Sequence, residues 1–280
     1  MKGFVACFLA ELGDLTRMPL VWLAALGTVA TAVVVGLGPA GDAANGWLVY
    51  EAALSASAQA AGFFLLGIAA MAIASDRTRG TIRWILPRPL TRRGYVLGKA
   101  SAILLLTADL LLLSAISSYL VAQPKGFGDV VAMEQTEVVT EGFDFVEEEI
   151  VPEEFKADAM RGRAWSATLR LLPALLLLAG LGLLVSALLR SAAGAVIAAI
   201  GVALPMHFLP ELFGLSEKTA RIFPQHAARA ALEQLHEYGM RHSGLQWPEY
   251  TGTTGVVAAC FAVGLPAIAA LVFSRLDITD

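Results

Sequence analysis

Residues 169–208 read LRLLPALLLLAGLGLLVSALLRSAAGAVIAAIGVALPMHF. Only Arg170, Arg190 and His207 carry titratable side chains in this stretch. A helix in a soluble domain keeps a polar face toward water, and neither half of this segment has one. The stretch divides into two apolar runs, 169–189 and 192–208, separated by Arg190-Ser191. Crossing the hydrocarbon layer takes roughly 20 apolar residues. Two residues between such runs leave room only for a helical hairpin. The segment reads as two membrane spans, and the rest of the chain follows from them.

Working outward, four more stretches meet the same test: 19–38, 52–74, 98–121 and 252–273. The expected fold is therefore an all-α integral membrane protein of six spans. An even number of spans puts both termini on one side. The composition agrees: 57% of the 280 residues are hydrophobic and 16% are charged, against about 25% charged in soluble domains. These proportions exclude a disordered chain and a nucleic-acid binder. Two cysteines in apolar surroundings, Cys7 and Cys260, exclude a disulfide scaffold.

Basic residues in short loops set orientation. The segment between the second and third spans holds Arg77, Arg79, Arg83, Arg88, Arg92, Arg93 and Lys99, whereas residues 39–51 hold no basic residue. The basic side is thus expected to be cytoplasmic, with both termini there. Residues 1–18 contain Phe4, Phe8, Leu12 and Leu15 at helical spacing, interrupted by Glu11, Asp14 and Arg17. That pattern predicts an amphipathic helix lying in the interface rather than a signal peptide. On the far side, residues 122–167 carry 11 acids between Asp129 and Asp158. Within them, 137–151 is expected to form a hairpin about Glu141-Gly142, and Pro152-Glu153-Glu154 a helix start. A second outer piece, 209–250, is expected to be helical and to pack on the membrane surface. The whole chain reads as one transmembrane domain.

Chemistry-bearing patterns are few. There is no HExxH or GxSxG and no intramembrane carboxylate pair at helical spacing. Gly94–Lys99 (GYVLGK) is one spacer short of a phosphate loop and lacks the Ser or Thr that would hold magnesium. Any use of ATP therefore requires another chain, and no cofactor is expected on this one. His207, His226, His236 and His242, with Glu233 and Glu237, supply metal-ligand chemistry in principle. However, His236 and His242 are not spaced to share a helix face, and no metal is expected. Asp109 lies near the middle of the third span, where a carboxylate costs several kcal/mol unless it is paired, hydrated or protonated. It is expected to face a polar pathway or a subunit interface, with Ser55, Ser57 and Gln59, or else Arg170, as partners.

The sharpest segment is 76–99, DRTRGTIRWILPRPLTRRGYVLGK, with seven basic residues. Residues 81–86 (TIRWIL) offer a short amphipathic turn, freed by Gly80 and stopped by Pro87 and Pro89. Thr91-Arg92-Arg93 then opens the next helix. A short helix held across two membrane helices is suited to receive force from a cytoplasmic protein.

The order of Asp76, Gly80, Thr81, Pro89, Thr91, Arg92, Gly98 and Lys99 resembles the cytoplasmic signature of ABC-2 type transporter permeases, the membrane subunits of type V ABC exporters. Glu11-Leu12, Asp14 and Arg17 are similar to the family's interfacial elbow helix, and 184–195 to its tight turn between spans. The resemblance implies a permease in a bacterial inner membrane, surrounded by lipid. It further implies pairing with a second permease copy, identical or related, and with an ATP-binding subunit that carries ATP and magnesium. The contact with that subunit is expected over 76–97 and at Lys99, through Asp76, Gly80, Thr81, Arg83, Pro87, Pro89, Thr91, Arg92 and Lys99. The alternative is a non-transport anchor or assembly factor whose outer loops bind a partner protein.

Overall fold

The computed structural model describes residues 2–38, 45–81, 91–132, 153–214, 224–240 and 252–275. Its helices are α1 (Lys2–Arg17), α2 (Pro19–Leu37), α3 (Gly46–Ala72), α4 (Ala74–Thr78), α5 (Arg92–Ala122), α6 (Ala157–Leu188), α7 (Ala192–Leu212), α8 (Pro224–Gly239) and α9 (Gly252–Arg275). Five of the six expected apolar stretches each follow one of them, and 52–74 runs along α3 to the start of α4. Among the described residues, four helical segments are long and apolar enough to cross a membrane: Pro19–Leu37, Gly46–Thr78, Arg92–Lys125 and Ala157–Leu188. Ala192–Met206 and Cys260–Arg275 are shorter apolar helices. The 32 residues of α6 extend about 48 Å at 1.5 Å per residue, well beyond a hydrocarbon layer of about 30 Å.

The core is assembled around α3, whose buried residues include Ala53, Leu54, Ala61, Leu65, Ile68 and Ala69. Small residues let its neighbours approach, as is usual where lipid removes the ordinary hydrophobic drive between helices. Helix α2 buries Ala24, Thr28, Ala32 and Gly36 at four-residue intervals and leaves Trp22, Leu26 and Val34 exposed. It is therefore a peripheral helix attached by one narrow stripe. Helix α6 comes so close to α3 that a Cβ on Gly182 would meet the Leu66 carbonyl oxygen at 2.7 Å. A buried hydrogen bond of 2.8 Å between Tyr50 Oη and Thr168 Oγ1 pins the same two helices nearer their other end. Helix α7 closes a second apolar cluster with Leu66, Ala70, Ala74 and Leu181 through Ala195 and Ala199.

The acidic end is tied by backbone. Gly46 N donates to Gly126 O at 2.9 Å, and Trp47 Nε1 to Gly128 O at 3.0 Å. Asn45 caps α3 by accepting from Leu48 N at 3.1 Å, while its Nδ2 donates to Gly239 O at 2.8 Å. The latter bond anchors α8, which buries Ala228, Ala231, Leu232 and Leu235 and exposes Arg229 and Glu233. Such amphipathic spacing suits a helix with one face packed and the other exposed, and here the packed face lies against α3 and α6.

One sequence expectation changes here. A short antiparallel ladder of β1 (Val130–Ala132) and β2 (Glu153–Phe155) pairs Val130 with Phe155 and Ala132 with Glu153. Glu153 and Glu154 are thus extended, and the helix starts later, at Ala157, whose N–H is accepted by Asp129 Oδ1 at 2.6 Å. The cap comes from a residue 28 positions away in sequence, which no local pattern announces. The hairpin expected over 137–151 lies outside the described residues.

Candidate functional site

The two described ends of the basic segment converge on one buried charge. Asp76 sits in the first turn of α4, and Lys99 lies in the second turn of α5. Lys99 Nζ is 3.0 Å from Asp76 Oδ2 and 2.6 Å from Glu11 Oε2 of α1. The three side chains are 6%, 20% and 11% exposed, so the group is a buried triad of two carboxylates about one ammonium. Tyr95 Oη donates to Asp76 Oδ2, giving that carboxylate a second donor. Among the described residues, Glu11 has Lys99 as its partner. Burial holds the Glu11 carboxyl above its ordinary range despite the adjacent ammonium. Burial likewise pushes the Cys7 thiol up, which keeps it a weak nucleophile.

Local sequence explains how α1 reaches this site. Cys7, Phe8, Glu11 and Leu15 recur at three- and four-residue spacing, and they form the face that meets α5. Gly98 gives the room: a Cβ there would lie 3.0 Å from Cys7 Cβ and Sγ. The amphipathic helix expected over 1–18 is present, but Glu11 is on its buried face rather than in water. A single apolar-versus-polar reading of the helix misses this, because the partner cation lies 88 residues away.

The same end is tied to α6 and α9. Ser186 Oγ accepts from Ile73 N and Ala74 N, both at 2.9 Å, bridging the break between α3 and α4. Arg77 donates to Ala187 O at 3.0 Å, and its guanidinium lies 5.8 Å from the Phe273 ring centroid. Phe273 also packs on Tyr95, with centroids 5.7 Å apart. Thr78 Oγ1 lies 2.9 Å from the carbonyl oxygen of Arg190. The segment entering the basic loop therefore touches the turn between α6 and α7, and the segment leaving it touches α1 and α9.

At the loop's edges, Gly80 has φ +70°, a conformation costing most other residues about 1–2 kcal/mol. Thr81 Oγ1 donates to Asp76 O at 3.1 Å. Thr91 caps α5 by accepting from Gly94 N at 3.1 Å, and Arg92 opens that helix. Arg83, Pro87 and Pro89, with most of the TIRWIL turn, lie outside the described residues. Of the expected set, the structure brings Asp76 and Lys99 together and places Gly80, Thr81, Thr91 and Arg92 beside them. Tyr95 and Ser186 join the site without a signal of their own in the sequence, and Glu11 and Arg77, noted above for the elbow helix and the basic segment, join it in roles those patterns do not announce.

Asp109 is elsewhere. It lies on the exposed side of α5. Among the described residues, no hydrogen bond or ion pair joins it to Ser55, Ser57, Gln59 or Arg170. Ser57 instead donates to Leu54 O at 3.2 Å and lies 3.5 Å from Ser118 Oγ. His236 Nδ1 is 3.1 Å from Glu51 Oε2, a hydrogen bond across the α8–α3 contact. Among the described residues, no group of three His, Cys, Asp or Glu side chains converges as a metal site would require.

No curated protein matches the chain. A family model described as ABC-2 family transporter protein matches residues 40–278, which takes in the whole basic segment, Asp76, Tyr95 and Lys99. Glu11 and α1 precede the match. With most of its length matched and its long apolar helices in place, the chain belongs to the ABC-2 family of transporter proteins and is a multi-pass membrane permease of an ABC transporter.

Proposed function

We propose that this permease couples ATP hydrolysis on a separate ATP-binding subunit to export of a substrate across a bacterial inner membrane. It does so as a pair of permease copies. The chain spans the membrane six times, with both termini and the basic loop in the cytoplasm and the acidic segment outside. ATP and magnesium sit on the partner, and this chain carries no cofactor.

The observation that carries the reading is the Glu11–Lys99–Asp76 triad. It fastens both ends of the basic loop and the interfacial helix to one point. A push on the loop by a closing ATPase then moves α1, α4 and α5 together, and through Ser186 and Arg77 it reaches α6. Basic residues at 77–93 suit a contact with an acidic surface on the partner. Such charges act chiefly on docking rate and register. The coupling residues are Gly80, Thr81, Arg83, Pro87, Pro89, Thr91 and Arg92, which meet the partner, with Asp76 and Lys99, buried in the triad, passing the push inward.

The test is the Thr81→Ala, Arg92→Ala double variant, reconstituted with the ATP-binding subunit encoded beside this gene. It is expected to reduce stimulation of the ATPase by the permease and substrate export together by about tenfold, the scale of 1.4 kcal/mol at an interface. The thermal unfolding midpoint should stay unchanged. Wild-type stimulation and export in a folded double variant would overturn the assignment.

A further inference from the structure

A cavity of about 490 Å³ lies between α5, α6 and the start of α3 at the acidic end. Its walls carry five aromatic rings, from Trp47, Tyr50, Tyr119, Phe127 and Trp165. It opens sideways: Leu112, Ile116, Tyr119, Leu120 and Trp165 are each between 47% and 58% exposed. In a membrane this opening faces lipid. The volume suits a drug-sized molecule.

The polar atoms of the wall are occupied. Trp47 Nε1 donates to Gly128 O, and Tyr50 Oη bonds to Thr168 Oγ1. Trp47 is also held edge-on to Phe127 at 4.7 Å, and Tyr119 stacks on Phe127 at 5.0 Å. These rings present faces rather than donors. Arg161, at the mouth, lies 3.1 Å from Asp158, so the rim is locally neutral.

Directly below the cavity on the same exposed stripe of α5 is Asp109. It stands three residues before Leu112, a separation that brings side chains to about 5–6 Å. It is ten residues from both Lys99 and Tyr119, about 15 Å each way, hence near mid-membrane. A carboxylate facing lipid at that depth is costly. Among the described residues it has no cationic or hydrogen-bonding partner. A partner helix fits poorly, because this stripe is built of Leu104, Leu105, Leu112, Ile116 and Leu120, whereas close helix pairs use small residues. An acyl chain fills the cavity but leaves the carboxylate unanswered. A ligand that is both apolar and positively charged satisfies both parts, and aromatic faces attract cations as well.

We propose that Asp109 and the aromatic cavity form one lateral site for a hydrophobic monocation, such as an aryl phosphonium or a quaternary ammonium, entering from the bilayer. The site names a substrate class for the permease and rests on that reading. Its test uses the full-length permease alone in lipid nanodiscs, so failure here leaves coupling to the ATPase standing. Binding of radiolabelled tetraphenylphosphonium is measured after subtracting uptake by empty nanodiscs. The cation is expected to bind saturably, whereas radiolabelled tetraphenylborate, an anion of matching size assayed in a separate sample, should show no saturable binding. Asp109→Asn should weaken binding at least tenfold, Asp109→Glu should retain most of it, and Leu112→Trp should weaken it by filling the cavity floor. Saturable binding of tetraphenylborate to the wild-type protein with an affinity equal to the cation's would overturn the proposal, since it would mean an apolar slot without charge recognition. Unchanged affinity in a folded Asp109→Asn variant would do the same.

Discussion

Replacing Lys99 with Met removes the one cation of a buried cluster while nearly preserving its volume. Two contacts disappear, at 2.6 and 3.0 Å, but the losses are unequal. Asp76 keeps the Tyr95 hydroxyl as a donor; Glu11 is left with none. The expected cost is therefore that of one broken buried pair, about 3–5 kcal/mol, not twice that. It should also depend on pH. The folded-state pKa of Glu11 lies above its ordinary 4.5, so the protonated carboxyl favours the fold. That contribution is complete below 4.5 and is lost as pH rises through the raised value. Without Lys99 nothing pulls the value back down, so the deficit of the variant should be largest at neutral pH and shrink toward pH 5. Equilibrium unfolding of the detergent-solubilised permease by SDS, followed by circular dichroism, measures both effects. The Glu11→Gln, Lys99→Met double variant leaves a neutral amide in place of the charge and should recover most of the loss at pH 7. A Lys99→Met deficit under about 1 kcal/mol, or a double variant no more stable than Lys99→Met, would refute the account.

Two further outcomes follow from the packing. Tyr95→Phe removes the second donor from Asp76 and should cost about 1–3 kcal/mol by the same unfolding assay, the penalty for a buried acceptor losing a partner. Transport should fall with it, because the loop's attachment loosens. Gly182→Leu forces a side chain against the Leu66 carbonyl and the Ala70 amide. Backbone cannot yield as a flexible side chain does, so the variant should lose about 1–3 kcal/mol and show a lower thermal midpoint. Gly67→Leu, with nothing within 4 Å of its Cβ position, is the matched control and should unfold like the wild type.

How much of this was legible beforehand depends on which forces acted locally. The apolar runs at 19–38, 98–121, 169–189 and 192–208 lie on α2, α5, α6 and α7 because hydrophobic length alone decides such elements. The side each helix turns to its neighbours was less legible. Helix α5 is apolar nearly all round, so its periodicity does not say that Asp109 points outward while Ser114 and Ser118 are buried. The triad was half legible. Asp76 and Lys99 were singled out from the order of the basic segment, and both are in the site. Glu11 read as a wetted residue of an interfacial helix, because nothing within a few positions signals the ammonium that meets it. The short β1–β2 ladder escaped notice for a similar reason, since its stability comes from pairing across 20 intervening residues, 133–152.

Helix α6 has a consequence beyond packing. It begins at Ala157, directly after β2 and under the Asp129 cap, and ends at Leu188, next to the Ala187 carbonyl that holds Arg77. One helix thus has the described ends of the acidic segment at one tip and the segment entering the basic loop at the other, with Pro173 inside it. Thermodynamic linkage makes such a connection work in both directions. If closing the ATPase tilts this helix and shifts the acidic segment, then an antibody or cation clamping that segment must alter the affinity of the complex for ATP by the same factor. The far side of the membrane would be a place from which the motor can be throttled.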